Sequence, residues 1–115
     1  MRIVPLVAMA SAGLALAGGG GASAAPGNPV AGQRVWESAQ PPCAYCHTLQ
    51  AAYAYGTTGP NLDKVKPSVA TIIKFVTHGS VPSARYPISM QTFGGVLTKQ
   101  QIRDVAPFIF RATHK

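Results

Sequence analysis

The chain has 115 residues, ten Lys and Arg against three Asp and Glu, and a formal charge of +7. A chain of that length makes one domain and no more. The basic excess is scattered with no basic run, which argues against nucleic acid as a partner and leaves solubility or steering towards an acidic protein as its meaning.

Residues 1–24 read as a secretory signal. Arg2 precedes an apolar stretch from Ile3 to Ala17, glycines 18–21 break it, and Ala22-Ser23-Ala24 supplies a small-x-small cleavage site. The apolar run is shorter than the ~20 residues that a spanning helix needs, so an uncleaved membrane anchor is the second reading. Residues 25–115 then form the working domain, and loss of Arg2 lowers the charge from +7 to +6.

Asn28-Pro29 reads as a helix N-cap with proline at the first helical position, and the spacing predicts a helix from Pro29 to about Ala39. Gln40-Pro41-Pro42 ends it, because proline lacks the N–H that a helix needs. Gly32 and Trp36 lie four residues apart, hence on one face, where a bare backbone beside a large ring suits a close helix crossing.

Cys43-Ala44-Tyr45-Cys46-His47 follows. Two thiols three positions apart with histidine directly after them read as a covalent haem attachment site. Each thiol can add to one vinyl group on the same edge of the porphyrin, and His47 can turn beneath the ring to meet the iron. A dithiol redox motif or half a zinc site are the competing readings of Cys-x-x-Cys. The first wants a βαβ context and the second further ligands, whereas the chain has no other cysteine, and its other histidines are His78 and His114.

Residues 47–63 read mostly as loop, ending in Gly59-Pro60-Asn61-Leu62. Pro60 has no N–H, but its carbonyl is free to accept the second ring proton of His47, which fixes a ligand's tautomer and raises its basicity. Leu62 is placed to press on the haem. Plain turn chemistry with a buried leucine is the simpler reading of both.

Ser68 is a plausible cap for a helix carrying Val69, Ile72, Ile73, Phe75 and Val76, with Gly79 as its stop. His78 in its last turn suits the helix dipole and reads as solvated or capping, and His114 as a tail residue. Residues 80–89 should be irregular. Met90 comes next and is the sole methionine outside the signal. A lone methionine is ordinarily core filler. In a turn-rich segment between helices, however, its sulfur can be aimed at iron opposite histidine, a pairing that raises haem potential. Thr98 to Gln101 has the form of a capping box, opening a final helix through Ile102, Val105, Phe108 and Ile109. Pro107 lies inside it and predicts a kink or a gap in its hydrogen bonding.

Taken in order, these stretches resemble a class I c-type cytochrome: Gly32 and Trp36, then Cys43, Cys46 and His47, then Gly59 to Leu62, then Met90 with Phe93-Gly94, then Val105 and Phe108. The likeness covers essentially all of residues 25–115. It implies an all-α cytochrome c fold, three to four helices around one covalently attached haem c, with first and last helices crossing where Gly32 meets Phe108 and Trp36 lies alongside. It implies Cys43 and Cys46 as thioether links, His47 and Met90 as axial ligands, and Pro60 and Leu62 as haem contacts. Gln91 departs from the proline that many relatives carry after the methionine, residues 79–90 are longer than in compact members, and Pro107 is unusual.

The implied activity is single-electron transfer, not enzymatic turnover, in an exported respiratory or periplasmic redox chain. Donor and acceptor would be redox proteins, one with an acidic face met by some of Lys64, Lys66, Lys74 and Lys99. Transient association with a membrane complex is compatible with this role. The alternatives are a haem subunit of a larger dehydrogenase or oxidase, and a haem enzyme or gas-binding protein with an open sixth position. The last wants a distal acid, base or hydrogen-bond donor, and none of the three carboxylates falls near Met90 in sequence.

Overall fold

The computed structural model describes residues 26–115. The expected signal, residues 1–24, lies outside them. Four helices form the body: α1 (Pro29–Ser38), α2 (Leu62–Val65), α3 (Val69–His78) and α4 (Lys99–Thr113). Two-residue strands β1 (Thr48–Leu49) and β2 (Ala54–Tyr55) make a small antiparallel hairpin between α1 and α2. Among the described residues, no helix is long and apolar enough to cross a membrane.

The caps explain where the helices begin. The Asn28 side chain accepts from the N–H groups of Val30 and Ala31, with Pro29 at the first turn of α1. Ser68 accepts from Thr71 N at the start of α3, and Thr98 and Gln101 exchange both bonds of a capping box at α4. Each such side chain satisfies a backbone donor that the first turn leaves free.

The expected crossing of the outer helices is present. A Cβ on Gly32 would overlap the Asp104 carbonyl of α4 and lie 3.0 Å from the Phe108 Cβ. Only glycine lets the two backbones approach so closely. The Trp36 and Phe108 rings sit 6.1 Å apart at 52°, a tilted pair of the kind aromatic quadrupoles favour. Trp36 is 2% exposed, and Val35, Leu49, Ile72, Phe93, Val105 and Ile109 complete the core around it.

Asp104 is buried beside this crossing and ties the start of the domain to α4. One of its oxygens accepts from Asn28 N at 2.9 Å and from Gln100 Nε2 at 2.8 Å. Pro107 lies inside α4, which nevertheless runs unbroken from Lys99 to Thr113. The missing proline N–H frees the Arg103 carbonyl one turn back. Gly27 packs against that carbonyl, and a Cβ there would also meet the Pro107 ring at 2.9 Å. The gap in the hydrogen-bond ladder is therefore where the N-terminal segment docks.

Two readings need correction. Residues 47–63 are not mostly loop, since they hold the hairpin, a 3-10 turn at Gln50–Ala52 and the start of α2. Asn61 caps α2 by accepting from Lys64 N at 3.3 Å, with Asp63 in its first turn. Periodicity could not reveal a four-residue helix, though Asn61 before Leu62-Asp63 is a start signal. His114 is also more than a tail residue, because its ring stacks on Phe110 at 3.9 Å.

Candidate functional site

The described residues leave an apolar cleft of about 530 Å³, walled by α1, the cysteine segment, α3, the 80–91 segment and α4. That volume is within the usual 300–1,000 Å³ of a small-molecule or cofactor site. Cys43, Cys46, His47, Pro60, Leu62 and Met90 all line it, drawn together from 48 positions of sequence. Trp36, Ile72, Phe75, Val76, Phe93 and Ile109 supply part of the rest of its apolar wall.

A single 3-10 turn, Cys43–Tyr45, positions the attachment motif. The Cys43 carbonyl accepts from both Cys46 N (3.3 Å) and His47 N (3.1 Å), which folds the motif so that both thiols and the imidazole share the cleft. Both cysteines are free and half-buried. Burial, with a smaller push from the neighbouring Cys46, raises the Cys43 thiol from its ordinary 9.0 to about 11, so it stays a neutral thiol.

His47 Nδ1 lies 2.9 Å from the Pro60 carbonyl oxygen. A carbonyl can only accept, so Nδ1 carries the proton and Nε2 keeps its lone pair. Burial holds the ring below the usual histidine range, with the Pro60 bond opposing it, so the imidazole is neutral. A neutral, tautomer-fixed imidazole is what a metal requires of histidine. Gly59 N donates to the Cys46 carbonyl at 2.7 Å, bringing the Pro60 turn back under the motif. Leu62 enters the cleft from the first turn of α2.

Met90 reaches the cleft by a different route. The segment after it runs back along the end of α3, where Phe93 N donates to Val76 O at 2.9 Å and Gly94 N to Thr77 O at 3.1 Å. These bonds use carbonyls that the last turn of a helix leaves without intrahelical partners. Gly79 (φ +71°) turns the chain out of α3, and a Cβ on it would overlap the Met90 carbonyl. Gln91 also has a visible part, because its amide donates to the Gln40 carbonyl at 3.3 Å. It thereby joins the Met90 segment to the proline turn that leads into Cys43. Ser80, which hydrogen-bonds Met90 on both sides, could not be picked out from sequence, and Gln91 stands out there only as a departure from proline, since both are ordinary polar residues in an aperiodic stretch.

Of the lysines considered for docking, Lys66 is engaged elsewhere: its Nζ donates to the Thr113 carbonyl at the end of α4 at 3.0 Å. Lys74 lies with its ammonium 5.8 Å from the centroid of Phe75, a cleft-lining ring. His78 is exposed and does not line the cleft.

A four-helix body whose first and last helices cross, around an apolar cleft holding Cys-x-x-Cys-His, defines a c-type cytochrome. The chain belongs to that class: residues 27–109 match the family described as cytochrome c oxidase, cbb3-type, subunit III. Among solved structures it is similar to the c-type cytochrome SorU from Sinorhizobium meliloti, at 33% identity and a TM-score of 0.65, over 76% of this chain and 92% of that one. No curated protein matches it.

Proposed function

We propose that this protein is a single-electron carrier that uses one haem c bound through Cys43 and Cys46, with His47 and Met90 as axial ligands. The observation that carries this reading is the convergence of these four residues on one apolar cleft. The cleft fits the group chemically. It offers two thiols on one turn, a neutral imidazole with Nε2 available, a thioether from another wall, and aromatic and aliphatic faces between them. A haem bound there supplies a one-electron ferric–ferrous couple whose potential rises with methionine as sixth ligand. The protein's own part is to hold both ligands through the change of charge. Pro60 holds the tautomer and orientation of His47, the rail along α3 holds Met90, and the apolar wall limits water.

Among the described residues, no Asp, Glu or second His lines the cleft, although Ser80, Ser83, Tyr86 and Ser89 do, so the carrier reading rests on the Cys43, Cys46, His47 and Met90 set and not on the rest of the lining. We infer an exported, periplasmic setting from residues 1–24, and a redox partner with an acidic face from the basic excess. A haem subunit of a larger oxidase is a second reading, favoured by the description of the matching family, and co-purification of further subunits is its test.

The experiment is an optical spectrum of the haem-loaded protein, oxidised and reduced, with Met90→Ala beside it. The native protein should give sharp reduced c-type bands and a weak red methionine–iron band when oxidised. Met90→Ala should lose the red band, fall in potential and bind carbon monoxide readily when reduced. An unchanged spectrum and potential in Met90→Ala rules Met90 out, and a high-spin native spectrum moves the reading to an open-site enzyme or sensor.

A further inference from the structure

We propose that Ser80 is a positioning residue for Met90, holding its backbone so that the sulfur stays turned into the cleft; this rests on the reading of Met90 as sixth ligand. Residues 80–90 form a loop whose neck is closed by two opposed bonds. Ser80 N donates to Met90 O at 3.0 Å, and Met90 N donates to Ser80 Oγ at 3.0 Å. The residue that ends the loop is thus held from both sides by the residue that begins it. Gly79 packs directly behind, against the Met90 carbonyl.

Met90 lines the cleft with an unbranched side chain of three rotatable bonds, whose packing adapts readily. Where its backbone is fixed therefore decides where its sulfur can go. The Gln91 amide anchors the chain one residue later, and the bonds from Phe93 to Val76 and from Gly94 to Thr77 three and four residues later, so Ser80 is the anchor whose bonds reach the backbone of Met90 itself. Only its hydroxyl can be removed by substitution, since its N–H bond belongs to the backbone.

The test measures how easily an added ligand displaces the methionine. Imidazole is titrated into the ferric, haem-loaded protein, following loss of the red methionine–iron band in native protein, Ser80→Ala, Ser80→Thr and Ser68→Ala. Ser68→Ala is the control, because it removes the 3.1 Å cap bond to Thr71 N at the far end of α3 without touching Met90. Loss of one hydrogen bond of ordinary net strength should tighten the apparent imidazole affinity of Ser80→Ala about five-fold. Ser80→Thr keeps the hydroxyl and should return to the native affinity, and Ser68→Ala should bind imidazole as the native protein does while unfolding earlier. Native affinity in Ser80→Ala, or an equal gain in Ser68→Ala, overturns the positioning role while leaving Met90 as ligand intact. Absence of the red band from the native protein removes the underlying reading instead, and the two failures are told apart by that band.

Discussion

Replacing Gly32 with alanine sets two principles against each other. Helix propensity alone favours alanine by ~1 kcal/mol in a helix interior. The crossing opposes it, because the new methyl would overlap the backbone carbonyl of Asp104, which no rotamer change can move aside. Overpacking a close contact costs about 1–3 kcal/mol, and a backbone obstacle puts this site towards the upper end. Spreading α1 from α4 also loosens the Trp36–Phe108 pair, which contributes ~0.5–1.5 kcal/mol beyond its buried area. The net expectation is a destabilisation of about 2 kcal/mol, or a fall in Tm of roughly 8–16 °C for a domain of this size. Thermal unfolding of the haem-loaded protein followed by circular dichroism, with urea titration to give the free energy, measures it. A second variant locates the cause: Gly32→Ala with Phe108→Ala should not recover stability, because the nearest obstacle is Asp104 backbone. A single variant as stable as native protein, or more so, refutes the account of the crossing.

Other expectations follow from neighbouring contacts. Asp104→Ala removes the acceptor of the Asn28 N–H and one of the two acceptors of the Gln100 amide, so it should lower stability by about 1–3 kcal/mol in urea titration. The same variant should speed proteolysis near residues 26–28, and native protease resistance there would count against the latch. Thr98→Ala breaks the capping box of α4 and should cost ~1 kcal/mol by the same titration, with little change in the visible spectrum. Lys66 and Lys74 should separate in stopped-flow electron transfer with an acidic partner. Lys74→Met should slow association at low salt by a factor that shrinks as salt rises, whereas Lys66→Met should chiefly lower stability through loss of the Thr113 contact. Equal slowing by both variants would show that the Thr113 bond does not withdraw Lys66 from docking.

Local signals in the chain were sufficient for the parts of this protein whose physics is local. Asn28-Pro29, Ser68 and Thr98 with Gln101 announce helix starts because capping is a contact within four residues. Gly32 and Trp36 share a face by helical period alone, and Cys-x-x-Cys-His is a five-residue motif read from its spacing. The order of those motifs named the family and its fold. Tertiary structure decided what depends on distant partners. Pro107 looked only like a disruption until Gly27, eighty positions earlier, proved to pack on the carbonyl that it frees. Lys66 read as one of four equivalent surface charges until the end of α4 arrived beside it. Ser80 gave no signal and Gln91 stood out only as a departure from the related proline, because a hydroxyl or amide acquires its part only from the backbone group opposite it, Met90 in one case and Gln40 in the other. Covalent spacing and helical period can be read along a line, but hydrogen bonds between segments exist only once the chain has closed on itself.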